Sequence, residues 1–320
     1  MRKGITVLLI IAASLTVLGG IIFTIGVVAI GNEGASLIDG KYQTKTYEGT
    51  DEINSIVITT DTTDVIILPY DKDGYRVECF EEKKIAHAVA VEDGVLSIEL
   101  RDNRAWYDHI SFFSKNTTIT VYVPAGEYTS LSVKSDTGDT TVPEYFTFEK
   151  ADVICSTGDV DFFASTKRSL TVKTSTGNID IDNSNHGDLS LTVSTGDIKA
   201  SRMVCDNVKI AVSTGKTEIK GLTCNEFIST GNTGDLIMED LVAKGAARIK
   251  RSTGDVKFNR CDASELEITT DTGDVTGSLL SDKIFIYKTD TGKVSLPEST
   301  AGGVCKITTD TGDIKIDIVK

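Results

Sequence analysis

Proline, histidine and tryptophan are scarce in this chain of 320 residues, at four, three and one. The histidines (His87, His109, His186) lie far apart, and the six cysteines (Cys79, Cys155, Cys205, Cys224, Cys261, Cys305) form no Cys-x-x-Cys pair. A zinc site of the usual spacing is therefore excluded, and no metal is expected. No nucleophile motif and no glycine-rich phosphate loop appears, so neither catalysis nor a cofactor is expected. Positive charge is also in deficit: 33 Lys and Arg face 47 Asp and Glu, a net charge of -14 that repels nucleic acid. With 28 glycines and abundant Thr, Val and Ile, the chain reads as β-rich.

The N-terminus does carry a long apolar run. Arg2 and Lys3 precede Ile5 to Ile30, 26 residues broken only by small or hydroxylated side chains. That exceeds a signal-peptide core and is enough to cross a hydrocarbon layer of roughly 30 Å. The two basic residues belong on the cytoplasmic side, which sends everything after Gly31 out of the cell. Residues 1–30 are thus expected as a transmembrane anchor in the cell membrane, and the polar residues 31–47 as a tether.

The rest of the chain repeats. Thr-Gly recurs with glycines at 138, 158, 177, 196, 215, 234, 254, 273, 292 and 312, always 19 or 20 residues apart. Asp-Thr-Gly alone could signal an aspartic protease, but such enzymes use two loops sharing a proton. Ten copies, six without Asp before Thr-Gly, are an architecture. Before each glycine, apolar or small residues alternate, as in Leu189, Leu191, Val193; after it the pattern resumes, as in Ile198 and Ala200. Alternation marks a strand with one buried face. A third side offers one apolar residue, such as Met203, Leu222, Leu241 or Leu280. The fold class expected is all-β, a parallel β-helix of coils about 19 residues long. Gly138, Gly158, Gly177, Gly196, Gly215, Gly234, Gly254, Gly273, Gly292 and Gly312 are read as structural turns with positive φ, and their Thr neighbours as a stacked ladder.

A degenerate copy lies upstream, where Ile56, Ile58 and Thr60 precede Asp61-Thr62-Thr63-Asp64 and Thr63 takes the glycine slot. Glu92-Asp93-Gly94 reads as a hairpin turn. Residues 48–130 are expected as an irregular β start that caps the solenoid, and 131–320 as the regular repeats.

Together the anchor, the stretch Ile119-Thr-Val-Tyr-Val-Pro124 and the STGD/DTGD series resemble a bacterial putative-adhesin family of membrane-anchored β-strand-repeat proteins of unknown function. The resemblance covers residues from about 50 to 320. It implies an extracytoplasmic β-solenoid with a loose link to adhesion or envelope stress, and supplies no catalytic residues. The chain departs from the pattern at Lys216 and Lys293, where the corner Asp is replaced, and at Asn232 beside a second Thr230-Gly231.

Two features are candidates for function. The corner residue after glycine is Asp in seven copies, and carboxylates about 4.8 Å apart repel by roughly 0.9 kcal/mol in water. A solvated polar ladder, relieved by Asn178, Lys216 and Lys293, accounts for it without a bound cation. The other is the segment 101–116, which holds Arg104, Trp106, Tyr107, Phe112 and Phe113 as candidate interaction residues or as a plug for the open end of the β-helix. The expected function is a non-catalytic adhesion or scaffold module of the envelope, its partners the bilayer and an envelope protein or glycan, its ectodomain monomeric. A stress sensor binding a peptide, lipid or partner protein is the alternative, although only residues 1–3 would remain in the cytoplasm. A polysaccharide-active enzyme comes third. The last strand, Ile314 to Ile318, is expected to form an open edge guarded by Lys315, Asp317 and Lys320.

Overall fold

In the computed structural model, residues 42–102 and 116–319 are described, and every regular element within them is a β-strand. Among the described residues no helix is long and apolar enough to cross a membrane. The expected anchor and residues 31–41 of the expected tether lie outside them.

One coil shows how the sequence turns. Strand Asn185–Thr195 sends Leu189, Leu191 and Val193 inward, the chain rounds Gly196-Asp197, and strand Ile198–Cys205 sends in Ile198 and Ala200. A second corner follows at Arg202 (φ 53°), after which Met203 and Cys205 point inward along a third side. Neighbouring coils repeat this corner with left-handed Asn183, Gly221, Asp240 and Arg260. The third side therefore carries two inward residues per coil, one more than expected. Leu280 is a correction: the buried residue is Leu279, because a register shift between Phe258 and Cys261 aligns Cys261 with Leu279.

Coils stack in parallel and in register, as in Leu170–Leu189–Val208–Phe227–Ala247–Leu266. Each inward Leu, Val or Phe of such a stack contributes roughly 1.5–3 kcal/mol through burial, and Ala247 less. The Thr of each corner pairs with the Thr of the next, and the linking hydrogen bonds are backbone ones: Gly196 N–H donates to the Thr214 carbonyl at 3.0 Å. Nine of the ten corner glycines have φ between 126° and 157°; Gly292, in the terminal coil, does not. The steric reason is stronger than φ alone. A Cβ on Gly158, Gly177, Gly196 or Gly215 would lie 1.9–2.1 Å from the carbonyl oxygen of the glycine one coil away. Thr63 holds the glycine slot of its coil, and a Cβ on Gly138 would meet its carbonyl at 2.4 Å.

The corner acid has a structural use as well. Oδ1 of Asp64, Asp139, Asp159, Asn178 and Asp197 each accepts the backbone N–H of the next corner residue, at 2.7–2.9 Å. Lys216 has no acceptor to offer, and among the described residues the Asp235 N–H makes no such bond, after which the line resumes with Asp255 N–H on Asp235. Lys216→Asp should restore the missing rung. A charge-assisted bond of about 1.5–3 kcal/mol is set against repulsion of roughly 0.9 kcal/mol from each of the two flanking carboxylates, Asp197 and Asp235, and loss of the exposed Lys216–Glu218 pair. The terms nearly cancel, so the melting temperature is expected to stay within roughly 2 °C of the parent although the rung is restored.

Both ends depart from chain order. β1 (Tyr42–Gly49) pairs antiparallel with β3 (Tyr75–Glu82), which pairs antiparallel with β6 (Thr117–Val123). β4 (Ile85–Glu92) pairs antiparallel with β5 (Val95–Asp102) through the expected hairpin turn at Asp93-Gly94. β5 and β6 then run parallel to β2 (Ser55–Pro69), whose other edge holds β7 (Gly126–Thr137). The coil made later, from β5 and β6, thus lies outside the coil made first.

At the far end the same inversion corrects an expectation. Strand Gly303–Thr311 lies between the strand ending at Thr272 and strand Lys283–Thr291, and Ile314 and Lys315 pair with both neighbours. The free edge is therefore mainly Lys283–Thr291; of the expected edge Ile314–Ile318, Ile314 and Lys315 are covered, and only Ile316–Ile318 have a strand partner on one side alone. A coil offers two equivalent edges, and the last one closes into the gap left by its predecessor.

Candidate functional site

Of the residues singled out in the sequence, the ten corner glycines form one stacked line, as above. Arg104, Trp106, Tyr107, Phe112 and Phe113 lie outside the described residues. Their flanks do not: Leu100, Asn116 and Thr117 border a cleft of about 470 Å³ at the N-terminal end, together with Thr62, Thr63, Glu81 and His87.

A buried polar cluster occupies that end. β3 alternates Val77, Cys79 and Glu81 inward from one sheet, β4 brings His87 across from the facing sheet, and the first half of β2 ends at Thr60. Glu81 is 1 % exposed. Its carboxylate accepts the backbone N–H of His87 at 2.6 Å and sits 3.1 Å from both His87 Nδ1 and Lys45 Nζ. Gln43 Nε2 donates to it at 3.3 Å. Thr60 Oγ1 lies 3.0 Å from His87 Nε2, and the Tyr47 hydroxyl donates to the His87 carbonyl at 2.9 Å.

The electrostatics follow from the burial. A carboxylate removed from water holds its charge only with charged and hydrogen-bonding partners. The hydrogen bond to Glu81 holds the Lys45 ammonium above its ordinary pKa. Burial pushes His87 below the usual imidazole value despite Glu81, so the ring is neutral at pH 7. With Nδ1–H donating to Glu81, Nε2 accepts the Thr60 hydroxyl. Burial, and then the Glu81 charge, raise the Cys79 thiol to about 12. One donor atom each from Cys79, Glu81 and His87 lie within 4.8 Å of one another, so this is where a cation could be held. The sequence reading missed it because Cys79-x-Glu81 and His87 are strand-spaced, a pattern with no recognised signature.

Among the buried polar side chains of the regular coils are a histidine and an arginine. His186 is held between the Thr166 and Ser184 hydroxyls at 3.0 and 2.9 Å, and burial lowers it to about 4. Arg251 is 1 % exposed and pairs with no carboxylate among the described residues; its place is opened by Gly231, the neighbour in register. The second Thr230-Gly231 was the sequence signal for that space.

At the opposite end, the free edge strand Lys283–Thr291 exposes Ile284, Ile286 and Tyr287, and Val294 follows on the same coil. Tyr287 stands in register with the buried Ile307 and the half-buried Phe285 with the buried Cys305, whereas Ile284 and Ile286 share the outward positions of Val304 and Lys306. Lys288 and Asp290 add charge to the same edge, paired at 3.1 Å.

The family profile described as Toastrack DUF4097 matches residues 53–201 and 184–320. No curated protein matches the chain. Similar solved structures include a putative adhesin from Bacteroides fragilis NCTC 9343, 15% identical, with a TM-score of 0.44, covering 87% of this chain and 97% of its own. A putative lipid binding protein from Parabacteroides distasonis ATCC 8503 is 14% identical, with a TM-score of 0.47 over 87% of this chain and 98% of its own. A putative adhesin from the same organism is 12% identical, with a TM-score of 0.44 over the same shares.

Proposed function

The chain belongs to the Toastrack DUF4097 family, and from that premise we propose a non-catalytic adhesion module of the cell envelope. The apolar run at Ile5–Ile30 anchors it in the membrane, and the solenoid is presented outside the cell. One observation carries the reading. The described chain enters at β1, at one end of the stack, while at the opposite end, among the described residues, the edge strand Lys283–Thr291 pairs on one side only and exposes Ile284, Ile286 and Tyr287.

Solenoids usually close their ends with a polar cap, so an apolar open end is a surface reserved for contact. The partner class that fits is a protein offering an extended strand. Its main chain pairs with the free N–H and C=O groups of Lys283–Thr291, and its side chains cover the exposed apolar ones. Lys288, Asp290 and Lys293 keep charge on this edge, which opposes indiscriminate pairing between copies and leaves the ectodomain monomeric.

The test displays the full chain on cells and measures their retention on immobilised envelope proteins. Ile286→Lys combined with Tyr287→Lys should reduce retention to the level of cells lacking the protein, with the melting temperature within about 2 °C of the parent. Both positions are more than half exposed, so the fold should tolerate the change. Unaltered retention by this variant would sink the reading. Retention lost only after protease or glycosidase treatment of the surface then separates a protein partner from a glycan.

A further inference from the structure

We propose that Cys79, Glu81 and His87 form a binding site for one zinc ion inside the N-terminal end of the solenoid. The inference is independent of the adhesive reading, which rests on the other end. The donor set is the first argument. A thiol, a carboxylate and a neutral imidazole whose ligand atoms lie within 4.8 Å of one another suit a borderline-soft divalent ion. Calcium and magnesium prefer oxygen donors throughout, which this cluster does not supply.

Rigidity is the second argument. All three residues are buried, on strands tied into the sheet on both sides of the core: β3 between β1 and β6, and β4 against β5. Thr60 lies beyond them, 3.0 Å from His87 Nε2. When zinc takes Nδ1, the imidazole N–H moves to Nε2 and donates to the Thr60 hydroxyl, the outer partner that metal-bound histidines usually have.

Charge is the third. In the metal-free site Lys45 neutralises Glu81 at 3.1 Å. Zinc, thiolate and carboxylate together are also neutral, so the exchange is balanced. Zinc enters, the Cys79 thiol proton leaves to solvent, and the Lys45 ammonium turns outward. Lys45 can do so because its side chain is already 39% exposed, whereas those of Glu81 and His87 are each 1% exposed. Lys45 is therefore the competing cation that zinc must displace.

That competition makes the test specific. The purified full chain, stripped with a chelator, is titrated with zinc by calorimetry and with cobalt(II) by absorption spectroscopy. The expected result is one zinc per chain, and with cobalt the intense thiolate-to-metal charge-transfer band. Cys79→Ser should abolish that band, and Cys79→Ser or His87→Ala should weaken zinc binding by at least about 100-fold. Lys45→Gln keeps all three ligands and removes the competitor, so it should tighten binding severalfold. This variant changes a partly exposed position and is read even if a ligand variant fails to fold. Absence of stoichiometric zinc in both the parent and Lys45→Gln overturns the proposal. So does cobalt binding without the thiolate band.

Discussion

Gly196→Val is expected to destabilise the solenoid by more than about 3 kcal/mol, far beyond the effect of an ordinary surface substitution. Two costs add. Gly196 sits at φ +140°, a region that costs an L-residue about 1–3 kcal/mol. The added Cβ would also lie 2.1 Å from the Gly177 carbonyl oxygen and 2.7 Å from its carbon, both backbone atoms that cannot swing aside. Relief requires the coils to part, which strains the neighbouring Gly196 N–H to Thr214 and Gly177 N–H to Thr195 hydrogen bonds, both 3.0 Å. Gly126→Ala separates the two costs. Gly126 has φ +154°, but a methyl group added there would meet no atom within 4 Å, so only conformational strain applies. Thermal or denaturant melts should show Gly126→Ala losing about 1–2 kcal/mol and Gly196→Val well above it. Equal losses would mean that coil contact at the corner contributes nothing.

Arg251→Met is expected to act in the opposite direction, stabilising the protein by about 1–3 kcal/mol. The guanidinium is buried with only a 2.9 Å bond from Nη2 to Ser229 Oγ and a 3.5 Å contact from Nη1 to the Lys250 carbonyl, while Nε has no partner. Burial lowers its pKa to about 10, the direction expected when charge is held away from water without a counter-ion. Methionine follows much of the same path with no charge to desolvate. Part of the gain is offset because the buried Ser229 hydroxyl loses its donor, at a cost of about 1 kcal/mol or more. Ser229→Ala in the Arg251→Met background should recover that loss. A lower melting temperature for the double variant than for the parent would show that the guanidinium is bound more favourably than its partners indicate.

The period, the glycine corners, the inward alternation, the Thr63 slot and the Asp93-Gly94 turn were all determined by the sequence itself. In a parallel stack each coil rests on a copy of itself, so residues sharing a slot face the same demand: Gly158, Gly177 and Gly196 each meet the carbonyl of the previous glycine. Repetition in space then leaves repetition in sequence. The corner carboxylates belong to the same class, because every Asp or Asn there meets the same neighbouring N–H.

Features that occur once, or that different residue types satisfy, leave no such trace. The second corner is left-handed at Asn183, Arg202, Gly221, Asp240 and Arg260, a mixture of residue types, so no motif announced it. The order of coils at the two ends was decided only by tertiary structure. Any coil presents two edges of the same register, and the 19–20-residue spacing is compatible with Gly312 stacking on Gly273 and Gly292 stacking on Gly312. Here the later strand Gly303–Thr311, not Lys283–Thr291, takes the edge of the strand ending at Thr272, and that placement leaves the exposed edge at Lys283–Thr291. Only the facing of two sheets across a common core brings His87 of β4 against Cys79 and Glu81 of β3. Proximity across the core is set by packing, whereas spacing along the chain records the neighbours on one strand.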